Sequence, residues 1–312
     1  MKFLITGATG FVGTKISKML LEAGHEVHGL TRNAERANNT NPRVKWFSWS
    51  PTQEIPSKDA FEGVDVVLNL LGENIAAKRW SADQKQKILD SRVKSTQNLI
   101  EGLKKYDVKL KSFVSSSAVG IYPTNNGETL MNEETSAANG FLADVCRQWE
   151  EATDSLPSDI RKVILRISVV FGNGGGALAR LVPIFKLGAG GNIGSGKAWM
   201  PWIHIDDLAR LFIEAGTNEN FNGIYNAVAP ELIQNKDFTK ALASSLNRPA
   251  IFPVPPFMLK LVFGEMSSVI LDSQKIESKR LAETGFSFLH GSIQPAMDNL
   301  FKNSSPQQIE AT

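Results

Sequence analysis

A single cysteine, Cys146, stands in a chain of 312 residues. That excludes an internal disulfide framework and any zinc cluster built on several thiolates. It favours a reducing, cytoplasmic setting. Long apolar runs are missing too. No stretch approaches the ~20 residues a membrane-spanning helix needs, so no membrane partner is expected. Met1–Gly13 does not read as a secretory leader, because Phe3-Leu4-Ile5 breaks at once into Thr6-Gly7. Charge of one sign is also lacking: 34 basic side chains face 32 acidic ones, leaving +2. Nucleic-acid binding held by net charge is therefore not expected. Residues 73–111 carry ten basic and five acidic side chains, but most sit on one helical stretch and read as a solvated face. Tyrosine is scarce as well, at three: Tyr106, Tyr122 and Tyr225.

What is present is apolar material: hydrophobic residues make up 42% of the chain, enough for a sizeable core. Residues 2–6, 25–31, 44–49, 64–71, 111–117 and 162–169 read as strands. The run 64–71 is almost wholly apolar, as in a parallel sheet covered on both faces. Helices are expected over 11–24, 81–105 and 140–155, with Ser81 and Gln84 as a capping box. Strand–helix alternation predicts an α/β fold, a doubly wound parallel Rossmann sheet. From Gly172 the texture changes. Two glycine-rich loops (172–176 and 188–196) flank a helical stretch, and prolines break the segment after Arg248. The expected division is a nucleotide-binding domain over 1–170 and a small C-terminal lobe over 171–301 with segments returning to the sheet. The polar tail 302–312 is expected to fray.

The sharpest motif is Gly7-Ala8-Thr9-Gly10-Phe11-Val12-Gly13, between the first strand and the first helix. Gly7 permits the tight turn, Gly10 lets amides approach a pyrophosphate, and Gly13 lets the helix pack close. The helix N-terminus favours the anion. Thr9, Phe11 and Val12 complete this loop. An NAD site would place a carboxylate at the end of the second strand. Here Gly29-Leu30-Thr31-Arg32 ends that strand. Arg32, beside Thr31, suits a 2′-phosphate, so NADP is expected ahead of NAD. Leu70, Leu71 and Gly72 are expected along the adenosine–ribose path, with Ser116 and Ser117 on the nicotinamide side.

The glycine loop, Ser115-Ser116-Ser117 with Tyr122 beyond, and Trp202-Ile203-His204-Ile205-Asp206-Asp207 resemble the extended short-chain dehydrogenase/reductases. Further stretches resemble an atypical "epimerase family" subgroup, related to nucleoside-diphosphate-sugar epimerases: NLLGENI (69–75), SSAVGIY (116–122), FLADVCRQWE (141–150), GNGGGAL (172–178) and WMPWIHIDD (199–207). The likeness spans nearly all of residues 1–290. It implies a Ser–Tyr–Lys set in active members, usually with Asn. This chain departs from that pattern, since no Tyr-x-x-x-Lys pair exists in it. The Tyr and Lys slots fall on Leu142 and Cys146, and the Asn slot on Arg92. Ser117 alone is kept. Leucine cannot transfer a proton, and a neutral thiol cannot replace a fixed cation.

Candidate substitutes follow. Tyr122 approaches from a loop as an acid/base, or else packs as a core aromatic. His204 is a second acid/base candidate. Its plain alternative is structural, with Asp206 or Asp207 capping the next helix and His204 bonding backbone. His204 with two adjacent aspartates forms no recognised ligand spacing, so no metal is expected. Arg92 shares a helix face with Ile88, Ser95, Leu99 and Leu103. It reads either as an anchor for a substrate carboxylate or phosphate, or as half of a salt bridge. Cys146 reads as inert core. Gly191–Lys197 matches P-loop spacing, but Ala198 follows instead of Ser or Thr, and the ATPase reading fails. A substrate-covering loop with Lys197, Trp199 and Trp202 near a ligand is expected instead. The expected activity is NADP-dependent oxidoreduction or epimerase-like chemistry on a small polar or anionic substrate. The alternative is a non-catalytic NADPH-binding sensor. Oligomeric state is not readable.

Overall fold

The first strand shows why the sheet is sandwiched. In β1 (Lys2–Thr6) four consecutive residues, Phe3 to Thr6, are buried. Phe3 and Ile5 join one core, and Leu4 joins another across the sheet. The computed structural model describes residues 1–302, so the tail beyond Lys302 lies outside the described residues.

Six further strands join β1 in one parallel sheet: β2 (Glu26–Thr31), β3 (Lys45–Ser48), β4 (Val66–Asn69), β5 (Ser112–Ala118), β6 (Arg161–Ile167) and a later strand, β9 (Gly223–Ala227). Their order is β3-β2-β1-β4-β5-β6-β9, all parallel. Two short strands, β7 (Val169–Phe171) and β8 (Trp202–His204), form a separate parallel pair. The helices are α1 (Phe11–Glu22), α2 (Ala34–Thr40), α3 (Ala82–Lys105), α4 (Phe141–Glu151), α5 (Leu178–Lys186) and α6 (Ile205–Thr217), then α7 (Asn235–Ser245), α8 (Pro256–Phe263), α9 (Ser268–Leu271), α10 (Leu281–Thr284) and α11 (Ile293–Phe301).

α1 and α6 cover one face, with Ile16, Leu20, Leu208, Leu211 and Phe212 against Phe3, Ile5 and Val114. α3 covers the other, with Leu99, Ile100 and Leu103 against Leu4, Val67 and Phe113. A third core gathers Phe171, Trp202, Phe238, Leu242, Met297 and Leu300 from distant stretches and builds the C-terminal lobe. The strand order reverses between β1 and β4. In open α/β sheets that switch point opens a crevice at the carboxyl ends of the strands.

Polar side chains brace that crevice. Thr6 donates its hydroxyl to Asn69 Oδ1 at 2.8 Å and accepts from the amides of Leu70 and Leu71. Asn69 Nδ2 donates to Thr96 on α3 and to Ser115 on β5. The loops after β1 and β4 are thus tied together beneath the site.

Candidate functional site

The loop from β1 into α1 is built on absent side chains. Gly7 has φ +68°, a left-handed conformation that glycine adopts without strain. A Cβ on Gly13 would stand 2.2 Å from the Gly7 carbonyl oxygen and 2.8 Å from Ala8 Cα. Only glycine lets α1 approach this closely. Gly10 is the N-cap, offers no side-chain cap, and no acidic residue occupies the first turn. The amides of Phe11, Val12 and Gly13 therefore face the cleft with the positive end of the helix dipole behind them. Thr9 and Gly10 are exposed. Phe11 is held from the lobe side, because a Cβ on Gly172 or Gly175 would come within 2.6 Å and 2.2 Å of its ring.

Thr31 is half-buried and Arg32 exposed at the carboxyl end of β2. Asn33 then caps α2, accepting from the Arg36 amide at 2.9 Å. No carboxylate pairs with Arg32 among the described residues. Leu70 and Leu71 are half-buried and Gly72 exposed where the chain leaves β4. Ser116 and Ser117, at 5% and 2% exposure, end β5. This fits a dinucleotide: a glycine cradle that a Cβ would fill, unspent helix amides, and a free cation at the end of the second strand.

Strand register assembles a second cluster. Ser117 is paired with Arg166 across β5 and β6, and Arg166 with Asn226 across β6 and β9. Ser117 donates its hydroxyl to Glu150 Oε1 at 2.6 Å. Arg166 donates Nε to Glu150 Oε1 (2.9 Å) and Nη2 to Oε2 (2.8 Å). Its Nη1 donates to the Tyr122 hydroxyl at 2.8 Å, which in turn donates to Asn226 Oδ1 at 2.8 Å. Burial tends to lower the Arg166 guanidinium, but the Glu150 hydrogen bonds and charge outweigh it and hold it above its ordinary range. Tyr122 is 0% exposed, and burial pushes its phenol up despite Arg166. Its oxygen both accepts and donates inside the protein, so the structure places it in a buried network rather than at an open pocket.

The two vacated slots lie on α4. Leu142 lies against Gly120. Cys146 is buried, and burial together with the Glu150 charge pushes its thiol up to about 11, which leaves it a thiol at neutral pH. Arg92 is half-buried on α3. It donates to the carbonyls of Glu73 (3.1 Å) and Ile88 (3.0 Å), and its Cζ stacks 5.1 Å from the Trp149 ring centroid. The salt-bridge alternative finds no carboxylate partner for it among the described residues.

The remaining predicted residues lie elsewhere. His204 is 1% exposed, and its Nδ1 accepts from the Asp206 amide at 3.1 Å. His204 itself is the N-cap of α6, which corrects the expectation that an aspartate caps there. Asp207 is spent otherwise, accepting from the amides of Leu289 and His290 at 2.7 and 2.8 Å. Nε2 of His204 has no hydrogen-bond partner among the described residues. The His290 ring lies 3.9 Å from that of His204, and Asp206 pairs with Lys15 at 2.7 Å. A nitrogen of each imidazole and a carboxylate oxygen of Asp206 lie within 4.8 Å of one another. Burial and the neighbouring His290 pull the His204 imidazole down to about 4. Trp202 is fully buried, donating Nε1 to the Glu231 carbonyl at 3.1 Å. It is a core residue, against the expectation of a ligand contact. Lys197 is exposed. Trp199 donates to Glu128 at 3.1 Å beneath Lys275. Glu150, Arg166 and Trp149 are residues that sequence reasoning missed. The available signal was their position one turn beyond Cys146 and directly beside Ser117 in strand register.

Compared with known proteins, residues 3–227 match the NAD dependent epimerase/dehydratase family, and residues 254–300 match a domain of unknown function, DUF1731. The chain is 36% identical over 300 residues to the "Epimerase family protein SDR39U1 homolog, chloroplastic" of Arabidopsis thaliana, covering 95% of this chain and 86% of that protein. It is 34% identical over 304 residues to the epimerase family protein YfhF of Bacillus subtilis, covering 96% and 98%. Among solved structures it is similar to human epimerase family protein SDR39U1 (isoform 2) with NADPH. There the TM-score is 0.88 and the identity 31%, covering 97% of this chain and 100% of that one. Among the described residues no helix is long and apolar enough to cross a membrane.

Proposed function

The chain belongs to the NAD-dependent epimerase/dehydratase family, and from that premise we propose that it is an NADP(H)-dependent oxidoreductase or epimerase-like enzyme without a Tyr–Lys pair. One observation carries the reading. The uncapped N-terminus of α1 sits in a glycine cradle, and an exposed, unpaired Arg32 ends β2 where a carboxylate would select NAD. The human relative solved with NADPH supports it. When bound, the dinucleotide supplies hydride transfer at its nicotinamide ring.

The chain's own residues do the rest. Amides of Phe11, Val12 and Gly13 hold the pyrophosphate, and Arg32, with Thr31 beside it, holds the 2′-phosphate. Leu70, Leu71 and Gly72 line the path between them. Ser117 meets the reacting oxygen of a small polar substrate by turning toward it the one hydroxyl proton that it otherwise donates to Glu150 at 2.6 Å. Lys197 and Trp202 take no part in this reading, and His204 serves as the helix cap. The lone buried Cys146 suits a reducing compartment such as the cytoplasm.

Isothermal titration with NADP⁺ and NAD⁺ tests the cofactor reading. NADP⁺ should bind at least tenfold more tightly, and Arg32→Asp should reverse that order. Equal affinities in the wild type would overturn it. A second reading, an NADPH sensor, is favoured by Leu142 and Cys146, neither of which exchanges a proton at neutral pH. NADPH oxidation across a carbonyl panel, abolished by Ser117→Ala, supports the enzyme. Tight binding without turnover supports the sensor.

A further inference from the structure

Large apolar side chains left in solvent gather on two stretches, 184–187 and 251–261. Leu187 and Leu261 are 85% and 74% exposed, and Ile184, Ile251, Phe252 and Phe257 are exposed in the same stretches. Backbone contacts make one surface of the two. Arg248 donates Nε to the Lys186 carbonyl at 2.9 Å. The Val254 amide donates to the Asn192 carbonyl at 2.8 Å, and the Gly194 amide to the Val254 carbonyl at 3.0 Å. α8 then starts at Pro256, whose Cγ lies 3.1 Å from where a Cβ on Gly194 would stand. Phe257 and Leu261, four residues apart, share one face of α8.

The charge around this surface has one sign. Neither 160–205 nor 238–264 contains an aspartate or a glutamate. Lys186, Arg248 and Lys260 are exposed among the apolar side chains, and Arg79 donates to the Leu261 carbonyl at their edge. Glu265, the first acid after α8, pairs with Lys85. Exposed leucines scattered singly are ordinary surface, but a group of them inside a basic rim marks an interaction site.

Charge and shape choose the occupant. In a two-fold contact with a second copy, the same bases would face one another. Pro249, Pro253, Pro255 and Pro256 leave 248–256 short of amide donors for an added strand. A partner helix needs a groove, whereas these side chains stand clear of the surface. Projecting apolar groups inside a basic rim suit a flat anionic layer, where the apolar groups enter the acyl boundary and the bases meet phosphates. The lack of a spanning helix among the described residues bears on crossing a bilayer, not on lying against one.

We propose that the surface formed by 184–187, 251–252 and α8 docks the chain on the face of an anionic lipid bilayer. This is independent of the cofactor reading.

Co-sedimentation of the full chain with vesicles tests it. At low salt, vesicles of equal parts phosphatidylcholine and phosphatidylglycerol should take up the chain about tenfold more strongly, or better, than phosphatidylcholine alone. Molar salt should reduce that uptake. Phe257→Ser with Leu261→Ser should weaken it by about tenfold or more, and Lys186→Glu with Lys260→Glu should do the same. All four side chains are exposed, so an unchanged thermal midpoint verifies that both variants fold. Leu289→Ser, which removes an exposed leucine from another segment, should leave uptake unchanged. No uptake by the folded wild type at low salt overturns the proposal. So does uptake that Phe257→Ser with Leu261→Ser leaves intact, which reduces it to attraction by charge alone. A dimer in sedimentation velocity that the same double variant dissolves, without vesicle uptake, also overturns it and assigns the face to a second copy.

Discussion

Glu150 accepts from three donors at once: the Ser117 hydroxyl and two nitrogens of Arg166. The side chains of the ion pair are only 9% and 11% exposed. In such a setting, truncating one partner costs more than the pair contributes, because the other charge stays buried alone. Arg166→Met should therefore destabilise the fold by about 3–5 kcal/mol, read by urea denaturation. Adding Glu150→Gln should recover part of that loss. A double variant less stable than the single one would show that the two charges do not constrain each other. Ser117→Ala removes one donor from a carboxylate that keeps two others, and should cost about 1–2 kcal/mol. Its effect on turnover can then be separated from its effect on folding. Ser117 was legible from its place in the serine run that closes the fifth strand. The role of Tyr122 was not, because its partners Arg166 and Asn226 stand 44 and 104 residues away. No local pattern distinguishes a phenol aimed at a pocket from one sealed between strands.

β1 and β4 were readable because their apolar runs are continuous. β5, α1 and α3 also fall close to where the sequence places them. β7 and β8 were not readable: each has three residues, too few for periodicity to register. The cap of α6 was misjudged for a related reason. Two aspartates follow His204, and aspartate is the commoner cap. Asp207, however, is drawn inward to hold the 289–290 turn, and the imidazole takes over. This has a pH consequence. The buried His204 titrates near 4 rather than at 6.5, so between these values the unfolded chain binds a proton that the folded chain refuses. Stability is fully present above about pH 6.5 and is lost as pH falls toward 4, by an amount on the order of 3 kcal/mol. His204→Asn keeps a capping oxygen without the titration. Its thermal midpoint should fall less than that of the wild type between pH 7 and pH 5. Parallel curves for the two proteins would show that His204 is not the group responsible.

The cofactor loop and the C-terminal lobe meet at one side chain. Phe11 opens α1, and its ring lies against Gly172, Gly175 and Gly176, which follow β7. β7 pairs with β8, and Phe171 and Trp202 from these strands enter the same core as Phe238 of α7 and Met297 and Leu300 of α11. The lobe therefore bears on the amides that receive the pyrophosphate, through packing rather than through a polar contact. In sequence, 172–176 reads only as a glycine-rich loop beside a helical stretch. In the structure its glycines are a surface cleared for an aromatic ring. The coupling can be measured with Gly175→Ala. Its Cβ would meet Phe11 Cδ2 at 2.2 Å and Cγ at 2.6 Å, the fixed base of the ring rather than a flexible tip. Overpacking of this kind costs about 1–3 kcal/mol. Turning Phe11 away relieves it only by moving the first residue of α1. NADP⁺ affinity should then drop by about tenfold or more, since 1.4 kcal/mol is tenfold in a binding constant, although position 175 stands in the loop after β7 and not in the glycine loop itself. A Phe11→Ala change added to Gly175→Ala removes the clash, so the double variant should bind NADP⁺ more tightly than Gly175→Ala alone. Calorimetric titration of the wild type and both variants decides the matter. Wild-type affinity in Gly175→Ala would mean that the lobe and the phosphate cradle act independently.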